Sequence, residues 1–179
     1  MNKVELQEAL RLHKLWLNDK PGGIRAGLSK ANLSNANLSY TVLRGADLRG
    51  TNLSNVDLSY TDLRGADLSK ANLRGTNLSS TDLRGANLSY TDLRGTNLSN
   101  VDLRCAVGNN KEIKSLQIGT YLISYTAVVL NIGCESHSIK KWACFSDERI
   151  ASMDEEALEF WNLNKHIILE LCNRGEGND

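Results

Sequence analysis

Leucine recurs every five residues, without a break, from Leu28 to Leu103. That is sixteen copies of one unit across residues 26–105. Two places before each Leu stands Ala, Thr or Val. One place before it stands Asn or Asp, except for Gly27 and Val42, and one place after it stands Ser or Arg. The fifth place varies among Lys, Asn, Tyr, Gly, Ser and Cys105. A period of five fits neither ordinary element. On an α-helix, five residues advance a side chain by about 500°, so the leucines would spiral around every side. On a flat strand five is odd, so successive leucines would alternate faces.

The leucines can share one core only if the chain turns once per unit. A short extended side, a corner and another side then make a coil, and stacked coils bury a continuous leucine column. Four corners of about 90° close a coil of twenty residues, and the eighty residues make about four coils. At a strand-like spacing of ~4.8 Å the stack is roughly 19 Å tall. Leu48, Leu53, Leu58, Leu63, Leu68, Leu73, Leu78 and Leu83 are the expected structural core. The small residue two places earlier also points inward, because a tight coil leaves little space. The other three positions point out.

Units such as Ala46-Asp47-Leu48-Arg49-Gly50 and Ala31-Asn32-Leu33-Ser34-Asn35 resemble those of pentapeptide-repeat proteins, whose pattern is A(D/N)LXX. The resemblance covers residues 26–105. It implies a mainly β fold, a right-handed quadrilateral β-helix, and says little about function, since every matching residue has a structural task. Some family members bind DNA gyrase and are thought to mimic DNA with a negative, rod-shaped surface. A role as modulator of gyrase or another DNA-handling enzyme is therefore an alternative by analogy.

The formal net charge is zero, from 21 Lys+Arg and 21 Asp+Glu, and its distribution bears on that alternative. Residues 1–25 carry five basic and three acidic side chains, residues 26–105 nine and seven, and residues 106–179 seven and eleven. The repeat is slightly basic, which disfavours DNA mimicry. The balanced total argues against direct nucleic-acid binding by bulk electrostatics.

Every fourth unit should share a face. One face stacks Arg44, Arg64, Arg84 and Arg104 beside Asp62, Asp82 and Asp102. It reads either as an anion- or partner-docking stripe or as a lattice that neutralises itself; the second is favoured, because exposed ion pairs are common and individually weak. The face of Leu38, Leu58, Leu78 and Leu98 carries one charge, Asp57, and stacks Tyr40 on Tyr60. Such a charge-poor, Tyr-bearing surface suits a protein contact, though stacking that only stabilises the coil fits equally. The remaining faces mix Lys30, Asp47, Arg49, Asp67, Lys70 and Tyr90 with Arg74, Asp92 and Arg94.

Solenoid ends need caps. Residues 2–18 read as an amphipathic helix with Val4, Leu6, Leu10 and Leu17 on one stripe and Trp16 adding bulk, ended by Lys20-Pro21-Gly22-Gly23. It is the expected N-terminal cap over Leu28 and Leu33, with His13 structural. Residues 106–179 do not repeat and form a separate small α+β module. Gly108-Asn109-Asn110 is a turn. Leu116 to Ile132 reads as two or three strands, with a hairpin near Ser124–Ala127. Ser146 and Ser152 can each begin a helix, the second with capping-box spacing to Glu155, an apolar stripe of Leu158, Trp161, Ile168 and Leu171, an end near Cys172 and Gly175 just beyond. This tail is loosely similar to a C-terminal β-plus-helix module of phage- or prophage-type members. Its aromatics Trp142, Phe145, Phe160 and Trp161 are candidate contacts for a partner or for a homodimer.

Cys134 and His137 have C-x-x-H spacing, and Cys144, His166 and Cys172 are also present. A structural zinc uses four ligands, usually as two close pairs, and one pair is present. No orienting acid makes Cys134 and His137 a nucleophile and base. No phosphate-binding loop, dinucleotide fingerprint or paired-His motif occurs. The expectation is a non-enzymatic binding protein with no cofactor and no membrane span. The N-terminus does not read as a secretory leader, and four irregularly spaced Cys suit a reducing, cytoplasmic setting.

Overall fold

The computed structural model describes residues 1–109, 111–118, 120–127 and 129–173. Parallel bridges join each unit to the one twenty residues on, from Gly27↔Asp47 to Asn87↔Val107. Twenty residues are four units, so each side stacks on a like side. Leu63 donates its N–H to the Asp82 carbonyl at 2.8 Å, and Asp82 donates to the Thr61 carbonyl at 3.0 Å. A short extended side cannot pair within itself, so its buried polar groups are satisfied only by the neighbouring coil.

Each corner is a β-turn. Ala66 N–H, for example, returns to the Leu63 carbonyl at 3.0 Å. The fifth residue of every unit is left-handed, with φ between 55° and 69°. A positive φ at the third turn residue alone is the type II signature. Gly fills six of these corners; the other ten carry side chains, each costing roughly 1 kcal/mol of steric strain.

Leu48, Leu53, Leu58, Leu63, Leu68, Leu73, Leu78 and Leu83 are all 0% exposed. Burying each such side chain stabilises by about 2 kcal/mol. The small inward residue does more than save space. The hydroxyls of Thr51, Thr76 and Thr81 donate to the carbonyls of Leu28, Leu53 and Leu58 at 2.7, 2.7 and 2.8 Å, tying adjacent coils together. The outward Asn/Asp also has a structural task. Its Oδ1 accepts the N–H two residues on, as Asn72 does from Arg74 at 3.1 Å, which shapes the corner as an Asx turn. Asn72 and Asn97 reach the same position one coil below, Asn52 and Asn77, at 3.3 and 3.2 Å.

Helix α1 spans Lys3–Leu17 and starts on a capping box between Asn2 and Glu5. Leu6 joins the cluster of Leu28 and Leu33, with Ala9 and Leu10 packed against it. The expected stripe needs correction at Val4, which is 78% exposed. Positions 6, 9, 10 and 13 share one helix face, so His13 takes the inward place. It is fully buried, accepts the Ala26 N–H at Nδ1 at 3.1 Å and stacks on Trp16. Burial pushes its pKa below the usual 6.5.

The tail forms a four-stranded antiparallel meander of β1 (Lys114–Ile118), β2 (Tyr121–Tyr125), β3 (Val129–Ile132) and β4 (Glu135–Ser138). Three strands lie in the stretch expected to hold two or three, the β2–β3 turn falls after Tyr125, and β4 adds a fourth strand beyond it. Strand β4 was not foreseen because Glu135, Ser136, His137 and Ser138 lack the β-branched signature; Gly133, at φ 56°, makes the turn into it. Three helices follow: α2 (Ile139–Ala143), α3 (Asp147–Ala151) and α4 (Ala157–Asn173). Ser138 and Ser146 cap α2 and α3. Ser152, expected to begin a helix, instead ends α3; Asp154 Oδ1 accepts the Glu156 N–H just before α4. Asn110 of the expected turn and Gly175 lie outside the described residues.

Ile123, Tyr125, Leu130 and Ile132 turn one sheet face to Trp142, Ile150, Trp161 and Ile168. The other face is polar yet buried, and it meets the end of the repeat. Ser124 Oγ donates to the Leu103 carbonyl at 2.9 Å, and Asn131 Nδ2 donates to Ser124. Asn109 Nδ2 donates to the Thr91 carbonyl at 3.0 Å, and Ile113 joins the repeat core. The tail thereby covers the last coil.

Two outcomes follow from this architecture. Leu63→Ala, in mid-column, should cost about 3 kcal/mol in urea unfolding, and Leu63→Lys more. Leu98, the partly exposed leucine one unit before the end of the column, should lose clearly less on the same truncation to Ala; equal losses would show that burial does not set the cost. Stability should also hold above pH 6.5 and fall as pH drops below it, toward the lowered folded pKa of His13, because the unfolded chain takes the proton first. Urea midpoints at pH 5–7.5 should show this slope, and His13→Phe should flatten it; an unflattened slope would place the effect elsewhere.

Candidate partner-binding surfaces

The Arg/Asp face is stitched to itself. Arg64 and Arg84 pair with Asp62 and Asp82 in their own units, each at 2.6 Å. They also approach Asp82 and Asp102 one coil on, at 3.5 and 3.6 Å. Arg104 pairs with Asp102 at 2.5 Å and donates to the Cys134 carbonyl at 2.9 Å. Arg44 faces Val42 in its own unit, and no ion pair joins it to any described residue. The bonds to Arg64 hold the Asp62 carboxyl below its usual range. On other faces, bonds to Arg49 and Arg94 hold Asp47 and Asp92 at about 2. Three of the four candidate arginines are therefore spent on neighbours.

The neighbouring face differs. Tyr40 and Tyr60 stack, with centroids 4.9 Å apart and planes 4° from parallel, and are 72% and 56% exposed. Both stand at left-handed corners, φ 58° and 56°, a conformation that bulky residues rarely adopt. A third tyrosine, Tyr90, is 81% exposed.

The tail aromatics divide. Trp142 and Trp161 are each 2% exposed, a correction to their expected role as surface contacts. Their rings pack at a 37° tilt with centroids 5.3 Å apart in the core between sheet and helices, and Trp142 Nε1 donates to the Leu130 carbonyl at 2.7 Å. Phe145 is half-buried and packs edge-on against Trp142 and His137. The exposed apolar side chains of α4 are instead Leu163 and Ile167, at 65% and 44%. They are one turn apart, a pairing the sequence offered but the inward stripe obscured.

Cys134 lies in the β3–β4 turn, while His137 bonds Glu135 at 2.9 Å and sits among aromatics. Cys172 is buried, which pushes its thiol up to about 11. Among the described residues no three His, Cys, Asp or Glu side chains are grouped to hold a metal. No described helix is long and apolar enough to cross a membrane.

Fold and surface together define a solenoid of five-residue repeats with a separate C-terminal unit. The family model described as pentapeptide repeats (8 copies) matches twice, over residues 31–69 and 66–104, and the chain belongs to the pentapeptide-repeat proteins. Among solved structures it is similar to a pentapeptide repeat protein from the Arabidopsis thaliana thylakoid lumen, with 35% identity and TM-score 0.45 over 47% of this chain and 59% of that one. A pentapeptide repeat protein from Nostoc PCC 7120 is 36% identical, with TM-score 0.37 over 52% and 74%. QnrB1, a plasmid-mediated fluoroquinolone resistance protein, is 25% identical, with TM-score 0.36 over 42% of each chain. The chain spans 59% of the first of these structures. No curated protein matches it.

Because exposed ion pairs are worth little, Arg84→Ala should cost under about 1 kcal/mol in urea unfolding. A loss as large as that of a core leucine would show the lattice to be a structural clamp.

Proposed function

We propose that this chain is a non-enzymatic binding protein that acts on a macromolecular partner, most simply another protein, in a reducing, cytoplasmic setting. Residues 1–25 serve as an N-terminal cap, 26–105 as a right-handed quadrilateral β-helix of about four coils, and 106–179 as a C-terminal module. The twenty-residue ladder period supports the four-sided coil; the handedness rests on the family resemblance.

The observation that carries the binding reading is the Tyr40–Tyr60 stack. Two large aromatics are held rigidly in the open, on the least charged face, at corners where their backbone is strained. Tyrosines of this kind supply contact area at low entropic cost. Self-association through the tail would use Leu163 and Ile167. DNA mimicry, and with it a gyrase-type role, is disfavoured, because five of the seven repeat aspartates pair with arginines within their own units.

The test is affinity capture from extracts of the native cell with the full chain and with Tyr40→Ser/Tyr60→Ser. The double variant should keep its urea midpoint within about 0.5 kcal/mol, as surface changes do, and lose at least tenfold in recovery of the captured partner. A partner retained in full by the variant would overturn the assignment of this face.

A further inference from the structure

A cleft of about 630 Å³ opens between the β3–β4 turn and the start of α4. It lies in the tail, away from the Tyr40–Tyr60 face, and does not depend on that reading. Its walls are the half-buried Tyr121, Phe160 and Met153, and the largely buried Trp142, Trp161 and Ile150 form its apolar floor. Tyr121 and Phe160 pack at 4.5 Å and fix one wall, and the Tyr121 hydroxyl donates to Asp154 at 2.6 Å. Burial and that bond push the Tyr121 phenol up to about 12, so it stays neutral. The volume falls within the range of small-ligand sites, which pair apolar walls with a few placed polar groups.

The polar groups are of one sign. Glu135, Asp154, Glu155 and Glu156 line the cleft, and no Lys, Arg or His does. Two of these carboxylates are engaged within the chain: Glu135 with His137 and Arg149, and Asp154 with Tyr121. Glu155 and Glu156 are exposed and make no side-chain bond to any described residue. Arg149 reaches Glu135 at 3.5 Å and Lys165 lies 5.6 Å from the Trp161 ring centre, yet neither lines the cleft. Lys165 already places a cation over one of these rings, that of Trp161, from outside the cleft.

We propose that this cleft binds an organic cation: an ammonium or guanidinium group on an apolar stem. The aromatic walls take the stem, and the carboxylates at the start of α4 take the charge. An anionic ligand would meet four like charges, and a fully apolar one would leave the carboxylates to be desolvated without a partner. Ring faces and carboxylates together form the combination that selects a cation with an apolar body.

The same chemistry comes from a free amine or from a Lys or Arg side chain on a partner, and the experiment separates the two. Calorimetric titration of the full-length protein would use agmatine, the capped tripeptide Leu-Arg-Leu and the capped tripeptide Leu-Glu-Leu. At least one of the cationic ligands should bind, and the Glu peptide should not. Tighter agmatine would point to a free amine, tighter Leu-Arg-Leu to a partner's side chain. Glu155→Gln/Glu156→Gln, a change at exposed positions, should weaken the bound cation by about tenfold at low salt, and Glu5→Gln/Glu8→Gln on α1 should not. Binding of neither cation, equal binding of the Glu peptide, or an unchanged affinity in Glu155→Gln/Glu156→Gln would overturn the proposal. Loss of partner capture by Tyr40→Ser/Tyr60→Ser is a separate readout, so the two surfaces stand or fall independently.

Discussion

The structure depends on one constraint: an extended side two or three residues long cannot satisfy its own backbone. Leu63 and Asp82 bond across coils because nothing within their own unit can reach them. The twenty-residue ladder therefore comes first, and the leucine column, the threonine hydroxyls and the asparagine stacks all reinforce it. Each inter-coil hydrogen bond is worth about 1 kcal/mol net. The same contacts are repeated on every side of every coil, so the solenoid is held by many small, equivalent terms.

That regularity moves the difficulty to the two ends. A ladder that runs coil to coil leaves unpaired groups where it stops. At the N-terminal end, helix α1 places Leu6 and His13 over the first leucines, and the His13 ring takes the Ala26 N–H. At the other end a sheet covers the last coil. Ser124 and Asn131 give that sheet a buried polar face, matched to carbonyls such as that of Leu103. The tail can thus be apolar toward its own helices and polar toward the repeat, which is how two hydrophobic cores meet without merging into one.

The same logic sorts the surfaces. On most faces, charge is used up locally: the guanidinium groups of Arg49, Arg64, Arg84, Arg94 and Arg104 bond the aspartates of their own units. What remains unspent is the tyrosine stack and a one-signed cleft in the tail. Each offers aromatic area with no opposing charge beside it, and in the cleft Glu155 and Glu156 stay unpaired among the described residues while Glu135 and Asp154 are bonded within the chain.

Much of this was legible in the residues. The fivefold leucines dictated a coil, and an inward small residue followed from crowding. The stacking of Tyr40 on Tyr60 followed from counting units, as did that of Arg64 on Arg84. The period is local and repeated, so each copy confirms the others. What stayed hidden depends on partners far apart in the chain. The threonine hydroxyls bond carbonyls twenty-three residues away. His13 belongs to the core through Ala26, and Trp142 and Trp161 turn inward because sheet and helices enclose them. The cleft gathers Tyr121, Glu135 and Glu156 from three separate segments. Sequence alone determined the solenoid, because its contacts repeat at a fixed spacing. Only the tertiary structure decided which aromatics are buried and where unpaired charge collects, because those depend on how non-repeating segments pack.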